Sequence, residues 1–202
     1  MYVPAAFAGS HDAALALIDA EPFATVVASG STSDGGGMVA SHLPLMREGN
    51  TLIGHLAGPN PQADLLAECA RAGREVLAIF HGPHFYVSPT WYATKTRTVP
   101  TWNYGAVHVA GVPKVSHDPV HLEALVNKLA ARYEHAEWRF ADQPRDFVDA
   151  MIAGIVGFEI PMTRVEAKFK LSQNRNAADR AGVMAAIATE HADFMRRFGA
   201  KE

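Results

Sequence analysis

The stretch FATVVASGSTSDGGGMVASHLPLMREGNTLIGHLA, residues 23–57, sets three β-type runs one after another with no helix between them. FATVVAS (23–29) and MVASHLPL (38–45) are apolar and β-branched, and the Asp-Gly and Gly-Gly pairs between them mark a hairpin connection. REGN then turns the chain into TLIGHLA (51–57). Strands joined so closely pair antiparallel, because a parallel crossover needs about a dozen residues or more. The glycine run leads into a strand instead of a helix and lacks both GxGxxG and GxxxxGKS/T spacing, so it is not a phosphate-binding loop.

Helices are inserted around this antiparallel unit. SHDAALALIDA has Ser10 as N-cap with Ala14, Leu17 and Ile18 at helical spacing. Asn60 caps a second helix with Pro61 in its first turn and QADLLAECARA as its body. EVLAIFHG is an apolar run suited to a central strand, HFYVSPTWY continues in extended form, and WNYGAVHVAGVPKV is β-rich. Asp118 and Pro119 open a helix that aligns Leu122, Leu125, Val126 and Leu129. PRDFVDAMIAG reads as a shorter helix leading to a strand pair in IVGFEIPMTRVEAKFKLS, with Pro161 at a bend or edge. NAADRAGVMAAIATEHADFMRRF closes the chain as one helix. Strands and helices do not alternate regularly, so the pattern predicts an α+β fold with a β-barrel core in a single domain over residues 1–202.

The 202 residues are 49% hydrophobic, enough for a substantial core. Nothing approaches the run of about 20 apolar residues that spans a bilayer, and the opening MYVPAAFAGSHD lacks the marks of a signal peptide, so the expectation is a cytoplasmic protein with no membrane partner. Cys69, the one cysteine, reads as a buried helix-face thiol. The net charge of −3 lacks the electropositive footprint of a nucleic-acid binder. Residues 161–202 nevertheless carry 8 basic and 5 acidic side chains, so any anion preference belongs to that end.

Enzymatic and metal motifs are few. Ser41 and His42 are strand neighbours on opposite faces and cannot form a catalytic pair, and no GxSxG elbow occurs. His81 and His84 are separated by Gly-Pro, and no HExxH or paired CxxC is present, so no metal site is predicted and no catalytic residue is named. Binding chemistry is better represented. GHLAGPNPQ puts His55 at a strand end and Asn60 at a helix start, a setting for an anion as well as for an ordinary cap. VPTWNYG offers Trp102 and Tyr104 as stacking surfaces or as core. VEAKFKLSQNR (165–175) alternates in β fashion and ends in Gln173, Asn174 and Arg175, readable as a solvated edge strand or as a grip on a polar or anionic group.

Taken in order along the chain, MYVP, ASHLPL, GHLAGPNPQ, FHGPHFYVSPTWY, VPTWNYGAVHV, GIVGFEI and KFKLSQNR resemble the PaiB family of FMN-binding negative transcriptional regulators. The resemblance implies a split β-barrel of the flavin-reductase and pyridoxamine-phosphate-oxidase type, antiparallel and Greek-key, with flanking helices. It also implies a homodimer with FMN at the subunit interface. Carried onto this chain, Ser41, His42, His55, Asn60 and Gln62 would form one wall of the site. Trp102 and Asn103 would arrive from the partner, and Lys170, Gln173, Asn174 and Arg175 would close it. Family members often carry a basic residue between GHLA and NP, where this sequence has Gly58 and Pro59, so the resemblance implies either a reduced phosphate affinity or reliance on Lys170 and Arg175. DNA as a partner is implied by the family's regulatory role alone, since no helix-turn-helix is evident. The alternative is an oxidoreductase that uses FMN with a reduced nicotinamide or small redox partner, the cofactor performing the chemistry. Related barrels bind other flat cofactors, including haem.

Overall fold

The computed structural model describes residues 1–30, 37–134 and 138–199. The elements are α1 His11–Ala20, β1 Phe23–Gly30, β2 Gly37–Pro44, β3 Met46–Glu48, β4 Thr51–Ala57, α2 Gln62–Ala72, β5 Val76–Val87 and β6 Thr101–Gly111. They continue with β7 Lys114–Ser116, α3 Pro119–Tyr133, α4 Arg145–Ala153, β8 Ile155–Pro161, β9 Arg164–Lys170, α5 Ala177–Ala186 and α6 Thr189–Phe198. One sheet has the order β2-β1-β5-β6-β9 and the other β3-β4-β8-β7. The α+β expectation holds. The glycine-rich connection inferred between the first two strands lies, for residues 31–36, outside the described residues.

Contacts group the chain into two units, of which the first comprises Pro22–Ile79 and Val109–Arg164. Here β1 and β2 pair antiparallel from Phe23 opposite Pro44 to Gly30 opposite Gly37. Alternation along β1 buries Ala24, Val26 and Ala28. The buried stripe of α2 consists of Gln62, Ala63, Leu65, Leu66 and Cys69, the spacing of one helical face. Cys69 is a core thiol, as its setting predicts. In the second sheet β4 and β8 pair antiparallel, His55 lying opposite Gly157. Leu122, Phe140, Val148 and Ile152 form one core cluster, and Ile53, Leu125 and Leu129 another.

The second unit comprises Met1–Glu21, Phe80–His108 and the chain from Val165 onward. Ser10 caps α1 by accepting from the amide of Ala13. Phe169, Phe194 and Phe198 pack together, with Phe169 and Phe198 stacked at 4.8 Å. Glycines at 82 and 105 let the strands approach this cluster, since a Cβ at Gly105 would lie 2.6 Å from the Phe194 ring.

Three expectations need correction. The runs EVLAIFHG and HFYVSPTWY form one twelve-residue strand through Val87, followed by a 3-10 turn over Pro89–Trp91. The strands flanking Pro161 do not form a pair, because β8 belongs to the four-stranded sheet and β9 is an edge of the other. Pro161 ends β8, and Thr163 bonds to the carbonyl of Ala110 through both its amide (3.1 Å) and its hydroxyl (2.8 Å). The C-terminal helix is two helices, interrupted at Ile187 and Ala188, both extended. In one unbroken helix Ala192 would stand about 180° from Val183. The break allows Val183 of α5 and Ala192, Phe194 and Met195 of α6 all to be buried.

The crossing from β8 to β9 depends on Gly111, where a Cβ would lie 1.8 Å from the carbonyl oxygen of Pro161. Backbone cannot yield to that contact without shifting a strand end. Gly111→Ala should lower unfolding free energy by about 3 kcal/mol, the upper end of overpacking costs, as read from the urea midpoint at unchanged m-value. An unchanged midpoint would show that the strand ends are not held at this distance.

Candidate functional site

The expected site residues fall into two groups, one in each unit. In the first, the start of α2 is joined to the β1–β2 hairpin by a chain of amides. Asn60 donates from Nδ2 to Ser41 Oγ at 3.0 Å, and its Oδ1 accepts from the Gln62 amide at 2.9 Å. Gln62 is fully buried and donates from Nε2 to the carbonyls of Val26 (2.8 Å) and Val39 (3.3 Å), one on each strand. Among the described residues its buried Oε1 has no hydrogen-bond partner.

Ser41, Asn60 and Gln62 are therefore brought together, while His42 is not. It points to the opposite face of β2, where Nδ1 lies 3.0 Å from Thr25 Oγ1 and the exposed ring stacks near Phe23 at 6.4 Å. His55, half-buried on β4, also has a buried Nδ1 without a partner. Desolvation lowers its pKa below the ordinary 6.5 and favours the neutral ring. Gly58 at the departure from family composition packs on backbone: its amide donates to the Gly154 carbonyl at 2.7 Å, and a Cβ there would meet the same oxygen at 3.1 Å.

In the second group, Trp102 and Asn103 lie on opposite faces of β6. Trp102 is 54% exposed and stands 6.3 Å from the His84 ring and 6.2 Å from that of Tyr86. Asn103 is buried: its Nδ2 donates to Ser172 Oγ at 3.0 Å, and the Ser172 hydroxyl reaches Asn103 Oδ1 at 3.2 Å. Ser172 takes a left-handed φ of 64°, which turns the chain at the end of β9.

Gln173 holds the same turn. Its Oε1 accepts from the Leu171 amide at 2.7 Å and its Nε2 donates to the Phe169 carbonyl at 2.5 Å. Lys170 donates to Thr101 Oγ1 and to the Trp102 carbonyl at 2.9 Å, and burial lowers its pKa. Asn174 is exposed. The Arg175 guanidinium lies 4.5 Å from the centroid of the Tyr92 ring. Much of the polar cluster that ends VEAKFKLSQNR thus turns inward, leaving Asn174 and Arg175 to face outward chemistry. Ser172 and Tyr92 lie within KFKLSQNR and FHGPHFYVSPTWY, yet sequence reading singles out neither, because their partners lie 69 and 83 positions away in the chain.

Among the described residues no group of three His, Cys, Asp or Glu side chains could hold a metal ion, and no helix is long and apolar enough to cross a membrane.

The arrangement of two antiparallel sheets with flanking helices is similar in fold to solved flavin-binding proteins. A flavocytochrome from Azotobacter vinelandii superposes with a TM-score of 0.59 at 12% identity, over 79% of this chain and 67% of that one. The FAD and haem binding protein of Mycobacterium smegmatis superposes with a TM-score of 0.56 at 18% identity, over 89% and 79%.

The model of the family described as "Putative FMN-binding domain" matches residues 1–164. The chain is 32% identical to the protease synthase and sporulation protein PAI 2 of Bacillus subtilis strain 168, over 94% of this chain and 90% of that protein. It belongs to this PaiB-like FMN-binding family.

The depressed pKa of His55 has a signed consequence. With a folded value below the unfolded one, the unfolded chain takes up the proton first, so stability is complete above about pH 6.5 and declines as pH falls toward the folded value. His55→Asn should remove that component from a plot of urea midpoint against pH between 7 and 5. An identical slope in parent and variant would show that His55 titrates normally.

Proposed function

We propose that the protein is a homodimeric FMN-binding regulator of the PaiB type, with the flavin at the subunit interface. The observation that supports the reading is that, of the five buried polar side-chain atoms without a hydrogen-bond partner among the described residues, Gln62 Oε1 and His55 Nδ1 belong to the GHLAGPNPQ segment, inside the region matched by the FMN-binding family model. A buried polar atom without a partner costs about 1–3 kcal/mol, so such atoms mark positions where a ligand or water completes the bonding. An isoalloxazine edge carries both acceptor oxygens and an N–H donor, and that mixed chemistry suits a carboxamide oxygen and a neutral imidazole. Ser41, His55, Asn60 and Gln62 of one protomer would hold the polar edge of the ring, and Trp102, which the family resemblance assigns to the partner protomer, would border its plane. Asn103 and Gln173 act behind these as supports of the backbone. When bound, FMN supplies reversible one- and two-electron transfer.

The regulatory part of the reading rests on the family and on the similarity to the sporulation protein PAI 2. Direct grip on DNA has little physical support. On α6, Arg196 is paired with Asp193 at 2.5 Å, Arg197 lies over the Phe198 ring at 4.9 Å, and Phe194 and Met195 are buried. Regulation would therefore act through the flavin-bound dimer and a further partner. A second reading, FMN-dependent oxidation of a reduced nicotinamide, draws on the exposed rings of Tyr86 and Trp102, a surface on which a planar substrate could stack.

Titration of the flavin-free protein with FMN should give a saturable shift of the flavin absorption bands. Sedimentation at micromolar concentration should give a species of twice the 21.8 kDa chain mass. Absence of saturable binding would remove both readings, and a monomer that binds FMN at full strength would remove the interface. Random duplex DNA should be retarded weakly at physiological salt, given the net charge of −3. Rapid reduced-nicotinamide oxidation by the loaded protein would favour the second reading.

A further inference from the structure

We propose that Lys95, Arg175 and the buried ring of Tyr92 form a binding site for a phosphate monoester. The inference deepens the FMN reading, on which it rests for one of the two sources of that phosphate. Tyr92 follows the 3-10 turn Pro89–Trp91 and is 1% exposed, so its ring is a fixed platform. Arg175 lies over that ring at 4.5 Å, within cation–π range. A cation–π contact uses no hydrogen-bond acceptor, so the N–H donors of the Arg175 guanidinium remain for phosphate oxygens.

Lys95 is tied to the same tyrosine. Its Nζ donates to the Tyr92 carbonyl at 2.6 Å and to the Thr90 carbonyl at 3.1 Å, leaving one of three N–H donors unspent. Among the described residues neither Lys95 nor Arg175 has a carboxylate partner, whereas Arg74, Arg139, Arg145 and Arg196 are each paired with one.

The acidic group nearby is committed elsewhere. Asp179 is 2% exposed, accepts from the Thr94 amide at 2.8 Å, and accepts from Asn176 Nδ2 at 3.2 Å. It therefore braces the neighbour of Lys95 and the neighbour of Arg175 on one carboxylate. Two cations from chain positions 80 apart are thereby held on a common support without neutralising each other's demand for an anion. A dianion with three acceptor oxygens fits an ammonium plus a guanidinium fork better than a lone carboxylate does. Lys170, the other candidate cation, is bound into β6 through Thr101 and Trp102.

The test uses the full flavin-free chain and three probes: inorganic phosphate followed by phosphorus NMR, FMN, and riboflavin. Lys95→Ala and Arg175→Ala should each weaken phosphate and FMN by about tenfold or more, the loss expected for one charge-assisted bond, and leave riboflavin unchanged. Tyr92→Leu should match Arg175→Ala, and Tyr92→Phe, which keeps the ring, should restore binding. The exposed variant Lys95→Ala keeps the test valid if Tyr92→Leu does not fold. Dependence of inorganic phosphate on Lys95 and Arg175 without dependence of FMN would uphold the site and assign it to a different phosphate ester, counting against the phosphate part of the FMN reading alone. The proposal is overturned if the parent binds no phosphate, or if neither Lys95→Ala nor Arg175→Ala changes phosphate binding.

Discussion

The reciprocal hydrogen bond between Asn103 and Ser172 governs the end of the sheet on which one half of the candidate site is built. Both side chains are buried, and each is donor and acceptor to the other at 3.0 and 3.2 Å. Closing that pair holds Ser172 in the left-handed region, a conformation with an intrinsic cost for a residue that carries a side chain. With the chain turned there, Leu171 enters the core, Gln173 caps the strand from within, and Asn174 and Arg175 are sent outward before Asn176 starts α5. Loss of the pair would leave two buried carboxamide and hydroxyl groups without partners, a penalty larger than the net worth of the bond itself.

Gln62 performs a comparable task in the other unit. Its single side chain bridges α2 to carbonyls on both strands of the β1–β2 hairpin, which aligns Ser41 and Asn60 with the start of the helix. The same residue keeps an unpartnered oxygen. One buried amide thus joins three elements of this unit. Gly58, just before α2, also has a packing reason, since its backbone meets that of Gly154.

Local elements were readable to the extent that their causes are local. Ser10 and Asp118 cap as their positions announce, because a cap needs only residues within about three places of it, whereas the N-cap of α2 is Pro61 and Asn60 bonds the Gln62 amide from one place before it. Strand alternation around Val26 and the helical stripe ending in Cys69 were likewise legible. The long C-terminal helix was misread because its composition favours helix throughout, and only the need to bury both Val183 and Ala192 interrupts it at Ile187. The strands on either side of Pro161 look like a hairpin in sequence and separate into two sheets because Gly111 admits the proline carbonyl beside β6.

The amino-acid sequence by itself determined the α+β class, the antiparallel character of the hairpins, the principal helix caps and the family, all of which depend on neighbouring residues or on the order of short segments. Only the tertiary structure decided which of the polar residues face inward. Gln173 and Arg175 both offer N–H donors when read as letters, yet one is consumed by the amide of Leu171 and the carbonyl of Phe169 while the other rests on the Tyr92 ring. Lys95 gained its place only when the fold set it on the carbonyl of the same tyrosine. The physical reason is that a hydrogen-bonding group has the same capacity wherever it stands, and its use is settled by partners that the fold brings from scores of residues away.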